Sequence, residues 1–186
     1  APGSGATDAV LTCDATTVAA SAGTATFTGC AIDRDSSVPY ALVATLGNHA
    51  ARSQNFTVSK GAPVSAEFTT DPGSGNGGLA LASQPVVVIR DAGGNGAAGS
   101  VTLSLAAGFG TPGARLTCAG GSTVSAVGGT ASFTGCRVDK AGAGYRLLAT
   151  IDGARVTRLS ASFDVRVGGA THLAFTPQAG GGPGGG

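Results

Sequence analysis

Apolar and polar residues alternate with a period of two along much of the chain. Such alternation is expected for strands that bury one face. No segment keeps apolar residues at the 3.6-residue spacing of a helix over three turns. The pattern therefore predicts an all-β protein, with strands at 85–91, 100–105, 130–136, 145–151 and 160–167.

Turn-forming sequences separate these segments. They are rich in Gly, Asp, Asn and Pro, the residues that favour tight turns. Strands of five to eight residues that recur every 10–15 residues favour an antiparallel sandwich. The predicted inward residues are Ala131, Phe133 and Gly135 in the third strand and Ala161, Phe163, Val165 and Val167 in the fifth, where Asp164 and Arg166 face outward.

The chain resembles itself at an offset of about 107 residues. A repeat of this length has the size of an immunoglobulin-like sandwich and is too long for ankyrin or leucine-rich units. The matching segments are 9–13 with 114–118, 24–30 with 130–136, 31–48 with 137–153, and 54–75 with 161–182.

The four cysteines duplicate with the repeat, at Cys13, Cys30, Cys118 and Cys136. Four cysteines allow three pairings. The repeat favours one disulfide within each copy, and each would add roughly 3 kcal/mol by restricting the unfolded chain. Buried thiols in a cytosolic protein are the alternative. Disulfides predict an oxidising compartment, extracellular or at the cell surface.

The chain contains fewer residues than two full repeats would need. We divide the chain into a partial immunoglobulin-like repeat at 1–61 that lacks its first strands, a complete repeat at 62–169, and a first strand of a next repeat with a Gly-rich linker at 170–186. The part with no counterpart in the first copy is 79–106, interpreted as a hairpin.

Two explanations of this incompleteness stay open. The chain is either a piece of a longer repeat array or a subunit that polymerises by adding its C-terminal strand to the next subunit. The residues of that candidate strand are His172, Leu173, Ala174, Phe175 and Thr176.

Composition narrows the class of partner. Charged residues make up 11% of the chain and the net charge is +1, so no basic surface is available for nucleic acid. The sequence contains no apolar run of about 18 residues, so no membrane-spanning segment is predicted. With 33 Gly and no Trp or Met, the core must be built from small and β-branched side chains.

Candidate chemistry is sparse. His49, placed in a turn, and His172 are the only histidines, and neither recurs between copies. Nucleophilic catalysis needs a base beside the nucleophile, so no catalytic set, cofactor or metal is predicted, and the protein is expected not to be an enzyme. Calcium at a domain junction is a minor alternative to ordinary turn carboxylates, on Asp33 with Asp35 and Asp139 with Asp152.

Three segments of the chain are similar to a known family of repeats. They are LASQPVVVIRDAGGNGAAGSVTLSL, GGTASFTGCRVDKAGAGYRLLAT and FDVRVGGATHLAFT. They resemble the tandem bacterial immunoglobulin-like repeats of surface proteins, of the invasin/intimin group, and similar filamin-like modules. In that pattern Asp91, Gly94 and Asn95 form a tight hairpin after the second strand. The resemblance implies an extracellular, rod-forming or adhesive, non-catalytic protein.

The sequence thus predicts a structural module of an extracellular stalk or filament. Its partners would be itself, in head-to-tail assembly, or neighbouring repeats. The alternative is an adhesin or carbohydrate-binding module, with glycans as partners. Tyr40 and Tyr145 occupy equivalent positions and are predicted to be core or corner residues rather than a binding face.

Overall fold

A computed structural model describes residues 4–151 and 155–170. Within these ranges the protein is all-β, as predicted, and contains sixteen strands and no helix. No helix that could cross a membrane is therefore present in the part of the chain described.

The first 61 residues contribute four short strands. They form two separate two-stranded antiparallel sheets, β1 with β2 and β3 with β4. The strands are Leu11–Thr12 (β1), Ala31–Ile32 (β2), Val43–Leu46 (β3) and His49–Arg52 (β4).

The rest of the described chain contributes twelve strands. They are Ser65–Thr70 (β5), Gly75–Asn76 (β6), Val86–Arg90 (β7), Ser100–Leu105 (β8), Leu116–Thr117 (β9), Thr123–Ser125 (β10), Thr130–Ser132 (β11), Arg137–Val138 (β12), Gly142–Tyr145 (β13), Leu147–Ile151 (β14), Thr157–Leu159 (β15) and Phe163–Arg166 (β16).

These twelve strands form four sheets. The largest has the order β10-β8-β14-β15, and a second has the order β11-β7-β5. A third has the order β13-β16-β6, and β12 pairs with β9. Every pairing is antiparallel except that of β16 with β6, which is parallel.

One core cluster joins these sheets. Alternate residues along β7, β8 and β14 are buried, as the period-two pattern requires. The cluster includes Val87, Ile89, Val101, Leu103, Ala131, Phe133, Cys136, Tyr145, Leu147, Ile151, Phe163 and Val165. The core therefore draws side chains from strands of different sheets, all of them after residue 61.

The predicted strands agree with the structure in part. The strand at 100–105 coincides with β8, and 85–91 contains β7. The predicted strand at 130–136 is shorter in the structure, which ends β11 at Ser132, although Phe133 remains buried. The predicted strand at 145–151 is divided, because Tyr145 ends β13 and β14 begins at Leu147.

Two inward assignments were wrong. Ala161 and Val167 are exposed, Val167 by 82%, whereas Phe163 and Val165 are buried. The reason is that β16 spans only Phe163–Arg166, so the alternation does not continue at either end.

The interpretation of 79–106 as a hairpin was also wrong. β7 pairs with β5 and β11, while β8 pairs with β10 and β14, so the two strands lie in different sheets. A tight turn does follow β7, where Gly94 N donates to Asp91 O at 3.0 Å. After that turn the chain returns along β7 only briefly, with an antiparallel bridge between Arg90 and Gly96 and a hydrogen bond from Ala97 N to Ile89 O at 3.0 Å. It then passes to the other sheet as β8.

Candidate interaction surface

We call the self-similar sequence segments 1–61 and 62–169 the first and second copy. Tyrosines at matching positions of these segments make the same contact. The Tyr40 hydroxyl donates to Arg34 O at 2.9 Å, and the Tyr145 hydroxyl donates to Lys140 O at 2.9 Å. Both rings are buried. The prediction of core or corner residues is therefore confirmed for this pair.

Each of these tyrosine rings also stacks on a phenylalanine. The ring centroids are 6.1 Å apart for Tyr40 and Phe56 and 5.8 Å apart for Tyr145 and Phe163, both at an interplanar angle of 29°. Offset aromatic pairs at this distance are favourable. The same aromatic pair is thus built in both copies.

Carboxylates bind backbone amides in the same way in both copies. Asp33 Oδ1 accepts a hydrogen bond from Val10 N at 2.7 Å, and Asp139 Oδ1 accepts one from Arg115 N at 2.7 Å. A carboxylate that accepts an amide hydrogen bond can hold two chain segments together. Both aspartates therefore join two segments of the chain. The sequence predicted only that they lie in turns.

The alternative of calcium at these aspartates gains no geometric support. Asp152 lies outside the described residues. Within those residues no group of three or more acidic, histidine or cysteine side chains converges on a common point.

The two disulfides join Cys13 to Cys30 and Cys118 to Cys136. Each bond lies within one copy, which is the pairing that the repeat favours. Disulfides persist in oxidising compartments, so the pair indicates a protein outside the cytoplasm.

The copies differ sharply in the burial of equivalent apolar side chains. Phe27 is 44% exposed, whereas its counterpart Phe133 is 2% exposed. Leu46 is 80% exposed, whereas Ile151 is 1% exposed. Residues of the first copy are therefore exposed at positions whose counterparts form the core of the second copy.

We call this set the open face. Its members are exposed residues of the first copy whose counterparts in the second copy are buried: Ala25, Phe27, Ala44, Leu46 and Phe56. The counterparts of all five residues belong to one core cluster in the second copy. Exposed apolar residues that a related fold would cover can mark a place where something binds.

A sheet edge accompanies the open face. In the second copy β14 lies between β8 and β15, whereas β3, the counterpart of β14, pairs with β4 alone among the strands of the described ranges. Beside β3 lies a cleft of about 510 Å³, lined in part by Leu11, Ile32, Tyr40 and Leu42. An edge strand beside apolar surface can accept an added strand.

The turn after β7 carries a buried carboxylate that the sequence reading treated only as a hairpin residue. Asp91 Oδ1 accepts hydrogen bonds from Gly93 N at 3.0 Å and Asn95 N at 2.8 Å. Asp91 Oδ2 accepts hydrogen bonds from Gly61 N at 2.8 Å and Asn95 Nδ2 at 3.1 Å. The spacing Asp91, Gly94, Asn95 is the signal that could have revealed this network.

Two opposing effects act on the pKa of Asp91. Burial opposes ionisation, but the hydrogen bonds from Gly61, Asn95 and Gly93 outweigh it, so the pKa of Asp91 lies below its ordinary value. Asn95 Nδ2 also donates to Asp33 O at 2.8 Å. The ionised carboxylate therefore orders a turn of the second copy that contacts the first copy through Asn95 and Asp33.

His49 is exposed and begins β4 opposite Leu46, directly after the turn at 47–48, so its assignment to that turn was wrong. His172 lies outside the described residues, as do Leu173, Ala174, Phe175 and Thr176.

A second cleft lies on the second copy. The Arg146 guanidinium lies 5.3 Å from the centre of the Phe109 ring, and Leu148 and Leu159 line the same cleft of about 660 Å³. Phe109 is 41% exposed. At the position equivalent to Phe109 the first copy has Ser4.

Comparison with protein-family models, curated proteins and solved structures finds no match. The function is therefore inferred from the molecule's own geometry.

Proposed function

We propose that the protein is a structural module of an extracellular stalk or filament, built from tandem immunoglobulin-like repeats of the kind found in bacterial surface proteins. The observation that carries the proposal is the recurrence of the same tyrosine, aspartate and disulfide contacts in both copies. A module that repeats these scaffold contacts suits a mechanical role.

The arrangement of the second copy supports an immunoglobulin-like sandwich. Strands of the β11-β7-β5 sheet and of the β10-β8-β14-β15 sheet contribute to one core. The repeat length of about 107 residues matches the size of that fold.

Strand addition by residues 172–176 is the proposed mode of head-to-tail assembly. By the repeat, this segment corresponds to 65–69 in β5, and β5 pairs with β7. No strand takes the position of β7 on the first copy among the described residues. An added strand of the β5 type therefore needs a β7-type strand beside it.

An adhesin or carbohydrate-binding module is the second candidate. The cleft with Phe109 and Arg146 favours it, because an exposed aromatic ring is a common contact for a sugar or a protein partner. Under this proposal the complete copy binds glycans and the repeats serve as spacers.

Negative-stain electron microscopy of the purified protein, with SDS gels of boiled and unboiled samples, tests the first proposal. Filaments with a regular subunit spacing and a ladder that collapses on boiling are expected. Compact, monodisperse particles that bind to a glycan array, with binding lost in Phe109→Ala, would instead establish the second candidate.

A further inference from the structure

We propose that residues 4–58 form a binding site for a two-strand segment with the sequence pattern of residues 79–105. The inference rests on the repeat relation in the proposed function, and it names the ligand that completes the first copy. Its occupant is a polypeptide that places one strand in each of two sheets, as β7 and β8 do in the second copy.

The second copy supplies the template for the first strand. β8 pairs with β14 in a register that places Leu105 opposite Leu147 and Val101 opposite Ile151. The counterparts of Leu147 and Ile151 are Leu42 and Leu46. A β8-type strand would therefore lie along the exposed edge of β3.

The template for the second strand is the pairing of β7 with β11. Val88 lies opposite Thr130, and Val86 lies opposite Ser132. The counterparts of these β11 residues are Thr24 and Thr26. A β7-type strand would therefore lie beside residues 24–26 and bring apolar side chains over Phe27.

The chemistry of the open face selects this occupant. Val87, Ile89, Val101 and Leu103 belong to the same core cluster as the counterparts of the open face. The strands that cover those counterparts are short, apolar on one side and almost uncharged. A charged peptide or a nucleic acid would leave the open face exposed to solvent and the backbone groups at the edge of β3 unpaired.

Two other segments of the chain fit less well. A β5-type strand pairs with β7, which the first copy does not contain among the described residues. The 79–105 segment of a second folded molecule is held in that molecule's own core, where Val87, Ile89 and Val101 are fully buried. The ligand is therefore a segment that is not yet part of a folded repeat.

Two experiments test the proposal. A fluorescently labelled peptide of residues 79–105 is titrated with the full chain, and a scrambled peptide is the control. In a second arm, residues 79–105 are fused directly before Ala1, because Ala106 aligns with Ala1 in the repeat. The fused chain is digested with trypsin, and the rate of cleavage after Arg52, an exposed residue of β4, is compared with that of the parent chain.

The expected result is one-to-one binding of the peptide and a slower cleavage after Arg52 in the fusion. Leu46→Asp should weaken peptide binding by about tenfold or more, because it places a charge in the contact. Val127→Asp, at an exposed turn of the second copy, should leave binding unchanged. A fusion in which the added counterparts of Val101 and Leu103 are aspartates should be cleaved as fast as the parent chain.

Unchanged cleavage in the unmodified fusion overturns the proposal, whether or not the free peptide binds. Equal binding of the scrambled peptide, or of Leu46→Asp and the parent chain, also overturns it. These assays measure peptide binding and trypsin cleavage of the first copy in solution, and neither requires filaments. A failure of head-to-tail assembly is therefore distinguishable from a failure of the proposed binding site.

Discussion

The two copies of the repeat share their local contacts and differ in their core. Each has its disulfide, its tyrosine hydroxyl bonded to a backbone carbonyl and its aspartate bonded to a backbone amide. The counterparts of the open face, such as Phe133 and Ile151, are buried in the copy that contains β7 and β8, whereas Phe27 and Leu46 are exposed. The comparison teaches that short-range contacts can form without the central strands, whereas burial of the core requires them.

The largest expected difference between the copies is at the equivalent phenylalanines. Phe133→Ala should lower the free energy of unfolding of the second copy by about 3–5 kcal/mol, because it removes a buried ring from the core. Phe27→Ala should cost less than about 1 kcal/mol, since that side chain is already exposed. Urea unfolding of the two variants measures both values, and equal losses would contradict the comparison.

The disulfides allow a second test of the same kind. Replacing Cys118 and Cys136 together by alanine should destabilise the second copy by about 3 kcal/mol or more, because the pair closes a loop and lies in the core. Replacing Cys13 and Cys30 should not change the unfolding midpoint of the second copy. Thermal unfolding under non-reducing conditions distinguishes the two, and a fall in that midpoint in both variants would mean that the copies unfold together.

The Asp91 network should give a smaller, pH-dependent effect. Asp91→Asn replaces one acceptor oxygen with an NH2 group that faces other N–H donors, and it should cost about 1–3 kcal/mol at neutral pH. The folded-state pKa is lowered, so this stabilisation is fully present above the pKa of the unfolded chain, near 3.9, and is lost as the pH falls through the folded value. Urea unfolding from pH 7 to pH 2 should show the difference from the parent chain shrinking at the acid end.

Asp8→Asn is the control for this prediction, since the Asp8 side chain is 70% exposed and its nearest charged partner is Arg34. It should change stability by less than about 0.5 kcal/mol at any pH. A constant Asp91→Asn effect across the pH range would show that the carboxylate charge does not matter.

The smallest expected effect concerns a turn that both copies form. Ala22 has φ 50°, in the left-handed region, and its counterpart Gly128 has φ 58°. Ala22→Gly should stabilise the first copy, and Gly128→Ala should destabilise the second, each by about 1 kcal/mol. Hydrogen exchange at the amides of Thr24 and Thr130, which close the two turns, measures both changes, and effects of the same sign would contradict the assignment.

Much of the fold could be predicted from the sequence because alternation reports burial directly. β7 and β8 were found in this way, and the inward residues Phe133, Phe163 and Val165 are buried. The repeat also favoured the pairing of the cysteines that the structure has.

The rest depends on contacts that no local pattern contains. Alternation cannot show that β7 and β8 belong to different sheets, because that is set by pairing with strands 15 or more residues away. The exposure of Ala161 and Val167 follows from where pairing of β16 stops. The burial of Asp91 depends on Gly61, which lies 30 residues earlier.

The most direct test of the central claim is hydrogen–deuterium exchange of β3 and β14, measured in the parent chain and in the chain with residues 79–105 fused before Ala1. We predict rapid exchange at 43–46 and slow exchange at 147–151 in the parent chain, and slow exchange at both in the fusion. Equal protection of the two strands in the parent chain, or rapid exchange at 43–46 in the fusion, would contradict the account of the open face.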